Sequence, residues 1–309
     1  MIEIISGSSY SELNQSIDQF KSNSPFLDIK FIQAMEKSKS IGENTGWISF
    51  PLIAKRNNKI VGFMPIFLKE HSYGEYVFDH AWAEAFQQHG LNYYPKMISA
   101  IPFTPITGPR ILSNDIEIKK ALIKAIEKIL VEYKISSCHI LFPEKKDHDL
   151  FNEMGWLSRK GVQFKWHNNS YQTFGEFLET LSHNKRKKIK QERKKIEKNG
   201  ITIERKQGLD ISREDIDFFY QCYCETYRLH NSAPYLKQSF FYELLKNMPN
   251  ELLVVIAKKN DLNIASALSI IGEETLYGRY WGALEFFSGL HFELCYYQGQ
   301  EFCIENKIK

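Results

Sequence analysis

Residues 276–300 read LYGRYWGALEFFSGLHFELCYYQGQ, the form of a strand, a glycine-bearing loop and the start of a helix. Tyr277, Arg279 and Trp281 occupy alternate positions of the strand. Gly282 and Gly289 bracket the loop. Phe292, Cys295, Tyr296, Gly299, Phe302 and Cys303 then return at helical spacing. A helix that begins near His291 leaves its first amides unpaired and aimed at the loop, which makes an anion site. Arg279, His291, Glu293 and Tyr297 fall close to the same turn. Clustered aromatics at such a turn also serve as core.

Working outward, the second half of the chain opens with a strand at 201–204. Ser212 caps the next helix, with Asp215 three residues on and Ile211 and Ile216 placed as a hydrophobic staple. Ile216, Phe219, Tyr220, Tyr223 and Tyr227 form its apolar face. A helix at 237–248 follows, then a hairpin of 252–257 and 264–271 turning at Asn260-Asp261, then the strand at 275–281. The first half has the same order. It reads as a strand at 2–5, helices at 10–20 and 28–38, a hairpin of 47–54 and 60–68, a strand at 74–79 and a helix at 84–94. Three prolines make 98–110 strand ends and loop. A helix at 115–133 carries Ile118, Leu122, Ile126 and Ile129 on one face. A strand at 138–142, a short helix ending at Met154 and a strand at 156–166 complete this half. The repeat predicts two related α/β domains, residues 1–166 and 167–309. The second lacks the elements that follow the first domain's last long helix, so it is expected to be incomplete at its C-terminal end and the chain a fragment.

The bulk composition sets limits. A chain of 309 residues with 43% hydrophobic and 25% charged residues suits a soluble two-domain protein. No apolar run reaches the ~18–20 residues that cross a bilayer, and the N-terminus has no signal-peptide pattern. Five sparse cysteines without a leader imply free thiols and a cytoplasmic location. The net charge of +3 is small, so the position of the basic residues matters more than their number. They concentrate in 183–198, HNKRKKIKQERKKIEK, where Leu181, Ile189 and Ile196 give only a thin apolar stripe. Such a helix is a solvated surface or a polyanion contact through Lys185, Arg186, Lys187, Lys188, Arg193 and Lys194. It has no interleaved aromatics for base stacking.

Other motifs narrow the chemistry. There is no Gly-x-Ser-x-Gly elbow and no phosphate loop, which argues against common hydrolases and nucleoside triphosphatases. Cys222 and Cys224 lie two apart on a helix and point to opposite sides, so no metal site is expected. Glu75 and Asp79 are acids in a segment otherwise fit for burial and need partners or a role. Arg110 ends a rigid proline-rich loop, placed for a carboxylate or phosphate.

Five blocks carry a family likeness: SYGEYVFDHAWA (72–83), YYPKMISAIPFTPITGPRIL (93–112), HNKRKKIKQERKKIEKNGI (183–201), TLYGRYWG (275–282) and LHFELCYYQGQEFCIE (290–305). Together they resemble the FemAB-like family of N-acyltransferases, associated with peptidoglycan biosynthesis or recognition and with the GNAT-like superfamily. The resemblance implies a mixed α/β fold of tandem GNAT-like domains. It implies that the pyrophosphate of an acyl-CoA donor lies against residues 282–291, with residues 79–84 as the matching loop of the first domain. The family continues into a Gly-Ala-Gln-Gly-Glu-His-Lys segment that has no match here. Neither loop carries the Gln/Arg-x-x-Gly-x-Gly/Ala signature of acetyl-CoA binders, and the better-known Fem proteins use aminoacyl-tRNA.

The expected reaction is transfer of an acyl or aminoacyl group to an amine, such as that of a cell-wall precursor, with acyl-CoA or aminoacyl-tRNA as donor and no permanently bound cofactor. It needs a base, donors for the oxyanion and an acid for the leaving group. Glu293 or His291 is the candidate base, and Tyr277 or Tyr297 the acid. Arg279, Gly282, Gly289 and Leu290 are candidates for holding the donor. Glu75, Asp79, Arg110 and Trp281 are candidates for holding the acceptor. The rival reading is a non-catalytic protein that recognises a peptidoglycan precursor or an anionic surface.

Overall fold

A computed structural model describes residues 2–11, 13, 20 and 24–309. The helix read at 10–20 falls mainly outside the described residues. The chain divides into two compact units, Met1–Gly161 and Val162–Lys309. The division precedes residue 166 because Trp166 packs on Tyr171 and Phe177 of the second unit.

The first unit is built on one broken hairpin. Its arms are β2 (Trp47–Ser49) with β3 (Leu52–Arg56), and β4 (Lys59–Met64) with β5 (Phe67–Lys69). Pairing holds one register from Trp47–Lys69 to Leu52–Met64, which sets Pro51 opposite Pro65. Neither proline donates a ladder hydrogen bond, so the two strands read at 47–54 and 60–68 each appear as two. The hairpin therefore serves two sheets. With β1 (Ile2–Ser6) it forms the antiparallel order β1-β3-β4, and with β6 (Lys96–Ser99) and β7 (Cys138–Ile140) the order β2-β5-β6-β7, where only β6 and β7 are parallel. The helices are α1 (Ile29–Lys37), α2 (His80–Gln88), α3 (Ile116–Glu132) and α4 (Lys145–Glu153). Asp115 caps α3, whose Ile118, Leu122 and Ile126 pack on Leu52, Ala54 and Met64.

Two expected strands do not form. Residues 74–79 make a turn, because Gly74 and Tyr76 both take left-handed backbone (φ +79° and +58°). Residues 156–166 alternate in type but have no partner strand among the described residues, and alternation without a neighbour to bond is not a strand. The helix read at 84–94 starts earlier, at His80, and stops before Gly90.

The second unit begins with α5 (Phe174–Glu179) and the basic α6 (His183–Lys198). A fully antiparallel sheet follows in the order β8-β9-β10-β11: β8 (Ile201–Gln207), β9 (Leu252–Lys259), β10 (Leu262–Ile271) and β11 (Leu276–Ala283). Between β8 and β9 run α7 (Arg213–Leu229), started by a Ser212–Asp215 capping box, and α8 (Gln238–Asn247). After β11 come α9 (Leu290–Phe292), a π-helical turn (Glu293–Tyr297) and α10 (Gln298–Glu305). Both faces of the sheet are covered, so residues 252–257 of β9 are all buried. Leu290, Leu294, Phe302 and Cys303 cover one face with Ile196 of α6, and Phe219, Tyr223 and Phe241 meet Tyr280 on the other.

The order β1-β3-β4 recurs as β8-β9-β10, and β6 flanks β5 as β11 flanks β10. The first-unit strand at the place of β11 is thus β6, not 74–79. The connection that leads from it into a long helix is 100–115, not 79–84. Among the described residues no helix is long and apolar enough to cross a membrane.

Candidate functional site

In the second unit the candidate centre lies where β11 leads into α9. Leu268 pairs with Tyr280 but Ser269 pairs with Gly278, so Arg279 is the extra residue of a β-bulge. The bulge reverses the facing of the strand. Trp281, paired with Ala267, and Leu276, paired with Ile271, join the core beneath α9 and α10. Tyr277, paired with Ile270, belongs with Tyr280 to the face covered by α7. Alternate spacing would have kept Tyr277 beside Trp281; the bulge separates Tyr277 from His291 and Glu293. The Arg279 guanidinium lies over the Tyr280 ring, 5.0 Å from its centroid.

The loop glycines have different tasks. A Cβ on Gly282 would sit 1.8 Å from the Cys222 carbonyl oxygen of α7, so Gly282 lets a helix approach the strand. Gly289 takes φ +91° as the residue before α9. Leu290 is a core side chain whose amide donates to the Phe287 carbonyl (3.1 Å), which leaves it nothing to offer a donor.

Glu293 is buried and already paired. It accepts from Arg193 Nε (3.1 Å), Arg193 Nη2 (3.0 Å) and Gln298 Nε2 (2.7 Å). The π turn brings residues five apart into register, which is how Gln298 reaches Glu293. Arg193 also grips Glu301 through Nη1 (2.6 Å) and Nη2 (3.0 Å). Burial works to lower the Arg193 pKa, and the Glu301 and Glu293 carboxylates overcome it and hold the group charged. Arg193 therefore fastens α6 to the C-terminal helix and is not a polyanion contact. Tyr297 donates to Glu192 (2.8 Å), and burial together with that carboxylate raises its pKa, which makes it a poor acid. Burial lowers the His291 pKa. Its ring lies 4.9 Å from that of Trp281, and it has no hydrogen-bond partner among the described residues. Burial pushes the Cys295 thiol up to about 12, so it is not a nucleophile.

On α6, Ile196 is buried and Ile189 half-buried, while Lys185, Lys187, Lys188, Lys190, Lys194, Lys195 and Lys198 are exposed and Arg186 is half-exposed. All but Lys185, Arg186 and Lys188 fall on the side opposite Ile196 at 100° per residue, one broad cationic face.

The first unit holds a charged cluster that sequence reasoning only half anticipated. Lys69 and Lys96 are cross-strand partners on β5 and β6, and both are fully buried. Lys96 Nζ donates to Ser72 Oγ (2.8 Å), Glu75 Oε2 (2.8 Å) and Asp79 Oδ2. Tyr93 also donates to Asp79 (2.7 Å), and its hydroxyl lies 3.1 Å from His139 Nε2. Lys69 Nζ donates to the carbonyls of Gly46 (3.0 Å) and Tyr73 (3.3 Å) and lies 3.9 Å from the Trp47 ring centroid. Burial lowers the Lys69 pKa to about 7, helped by Lys96 and opposed by Glu75. Burial raises the Glu75 carboxyl. It acts to raise Asp79 as well, but hydrogen bonds from Lys96 and Tyr93 bring that group below its ordinary value. Burial takes His139 down to about 4, so its imidazole is neutral.

Glu75 and Asp79 thus both bind Lys96 of their own chain beneath the surface. The missed signal was a lysine on the inward period of an apolar strand, as in Phe67–Lys69 and Lys96–Ile98. Arg110 is also buried: its guanidinium donates to the carbonyls of Leu141, Pro109 and Ile106, which fixes the proline-rich loop and leaves no arm for a ligand. Among the described residues no His, Cys, Asp or Glu trio is arranged to hold a metal.

Comparison with known proteins adds a family and a fold. No curated protein matches the sequence. The structure is similar to that of FemX (TM-score 0.50, 12% identity, covering 98% of this chain and 85% of that one). It is also similar to L-PGS from Bacillus licheniformis (TM-score 0.51, 10% identity, covering 91% of this chain and 73% of that one). At these identities the likeness concerns the mixed α/β fold. The family model for FemAB-like proteins, described as peptidoglycan biosynthesis/recognition, matches residues 2–309. The chain belongs to the FemAB-like family.

Proposed function

We propose that this protein transfers an acyl or aminoacyl group to an amine, with a peptidoglycan precursor as the acceptor class. Membership of a peptidoglycan biosynthesis/recognition family supports the acceptor class. The strand order common to the two units supports reading each as a GNAT-like fold. The observation that carries the chemistry is the start of α9. His291 is an imidazole biased to its neutral form by burial, with its ring nitrogens uncommitted. The amides of His291 and Phe292 find no backbone acceptor among the described residues. A neutral imidazole takes the proton as the amine attacks the donor carbonyl, and two amides receive the oxyanion. Collapse of the intermediate breaks the bond to the carrier, and the proton passes from His291 to the leaving oxygen or sulfur. Glu293 holds the helix through Arg193, so its part is positioning. The exposed lysines of α6 suit a polyanionic carrier, either charged tRNA or acyl-CoA.

Titration calorimetry with acetyl-CoA, longer acyl-CoAs and charged tRNA, paired with a transfer assay, tests this. One donor class binds, and His291→Gln keeps that affinity within about twofold while turnover falls by ~10²–10⁴. Unchanged turnover removes His291 from the chemistry. No donor bound and no turnover favours the recognition reading, which the prior commitment of Glu293 to Arg193 also fits.

A further inference from the structure

The outer strand of a sheet leaves a row of backbone groups without partners, and the sheet edges of this protein are treated unequally. β8, at one side of the second sheet, carries Glu204, Arg205 and Lys206, and β11, at the other side, carries the bulge at Arg279. Charges and bulges both discourage a further strand. β1 holds the place in the first unit that β8 holds in the second. It reads Ile-Glu-Ile-Ile-Ser and pairs with β3 in one unbroken register, without lysine, proline or bulge. The Gly7 amide donates to the Pro51 carbonyl (2.9 Å) and continues that register. Bonded positions alternate along an antiparallel ladder, so Glu3 and Ile5 bond to β3 while the amides and carbonyls of Ile2, Ile4 and Ser6 point away from it. Those groups have no hydrogen-bond partner among the described residues.

Beside this edge, between β1 and α3, lies a groove of about 510 Å³. Ile2, Ile4, Ala121, Ala125 and Ile129 give it apolar walls, with Lys124, Lys128, Glu132 and Tyr133 along the helix side. In the second unit the helix that follows β11 is covered on its flank. Ile304 of α10 packs with Phe177 and Leu178 of α5 and with Ile189 of α6, and Arg193 of α6 grips Glu301. In the first unit the flank of α3 beside β1 is the open groove. We infer that β1 and this groove form a twofold interface with a second copy of the chain. An antiparallel copy of β1 with Ile4 opposite Ile4 sets Ile2 opposite Ser6. These are the residues whose backbone groups face outward, so each pair exchanges its amides and carbonyls. Glu3 then faces Ile5, and no like charges are opposed. The same axis runs α3 antiparallel to its copy. The small end of the groove wall, Ala121 and Ala125, turns toward the bulky end, Ile129 and Tyr133, and Lys124 and Lys128 turn toward Glu132. Edge, shape and charge are all self-complementary, as a closed dimer requires. The three-stranded sheets of the two copies become one.

The test uses the full chain without an N-terminal tag, in analytical ultracentrifugation from about 1 to 200 µM, a range that covers the weaker interfaces of standard size. A monomer–dimer equilibrium is expected. Ser6 is exposed and its amide faces away from β3, so Ser6→Pro leaves the β3 ladder intact and keeps the thermal midpoint at low concentration, while association weakens about tenfold. In the wild-type chain, hydrogen exchange in residues 2–6 slows as the concentration rises, and exchange in residues 201–207, at the charged edge of β8, does not. A chain that stays monomeric throughout the range overturns the proposal. So does a dimer that Ser6→Pro leaves unchanged, or one that gives residues 2–6 no added protection, since each places the contact elsewhere. Assembly beyond the dimer overturns it as well, because a twofold contact closes on itself.

Discussion

The two units thread three antiparallel strands in the same order and then differ in how they reach the next strand. The second unit turns from β10 to β11 in four residues, 272–275, and locates its candidate chemistry after β11, at α9. The first unit spends residues 70–95 on the same step and places its charged cluster within that connection. The ion pairs differ accordingly. Lys96 and its carboxylates are sealed from solvent, whereas the Arg193 side chain remains 26% exposed between Glu293 and Glu301. A sealed network imposes one conformation on a loop that has no core of its own. A half-exposed network fastens together two helices that already share apolar contacts.

This contrast predicts unequal costs. Lys96→Ala leaves two carboxylates buried without their cation and should cost the first unit ~3–5 kcal/mol. Arg193→Ala strands Glu293 but leaves Glu301 reachable by water, and should cost the second unit ~2 kcal/mol. Hydrogen exchange read peptide by peptide assigns each loss to its unit without assuming that the chain unfolds in one step. Equal losses would break the comparison.

A second prediction concerns glycines that look alike in the sequence. Gly282→Ala places a methyl group 1.8 Å from the Cys222 carbonyl, backbone against backbone, and should cost ~3 kcal/mol as α7 is pushed off β11. Gly289→Ala has no atom nearer than Glu192 Cβ at 3.5 Å and meets only the penalty of φ +91°, ~1–2 kcal/mol. Thermal midpoints of the two variants separate these effects. A larger loss at Gly289 would mean that the α7 contact is less tight than the geometry requires.

The glycine pair shows what was legible. Strand and helix identity followed from period and caps, as in Ser212–Asp215 and the Ile118–Leu122–Ile126 face, because those signals are local. The bulge at Arg279 was hidden: one extra residue leaves the composition unchanged and exchanges the faces of Tyr277 and Trp281. Pro51 and Pro65 were visible, but not that they face one another, since register is a property of the pair of strands. Glu75 and Asp79 were singled out as acids needing partners, and their partner, Lys96, looked like an ordinary strand-end lysine until pairing set it beside Lys69. Arg193 likewise read as one more charge in a basic helix. Its partners Glu293 and Glu301 lie about a hundred residues away, beyond any spacing rule.

The last predicted effect is a slope. The folded first unit holds Lys69 near pKa 7, against 10.5 for an ordinary lysine, mainly because the ammonium is buried. Below pH 7 folded and unfolded chains both carry the proton, and the cost of the buried charge is present in full. Between pH 7 and 10.5 only the unfolded chain keeps the proton, so this group makes stability rise with pH, by at most ~1.4 kcal/mol per unit. Lys69→Met removes the titrating group and, with it, that rise. Local stability of the first unit, followed by hydrogen exchange from pH 6.5 to 10, should climb more steeply in the wild-type chain than in the variant. Loss of the hydrogen bonds to Gly46 and Tyr73 shifts the variant's curve by a constant and does not alter its slope. Arg193 contributes no such slope to the second unit, because its partners keep it charged across the range. Parallel curves for wild type and variant would mean that Lys69 is solvated well enough to keep its proton. The sealed cluster of the first unit would then differ from the Arg193 network in partners but not in exposure.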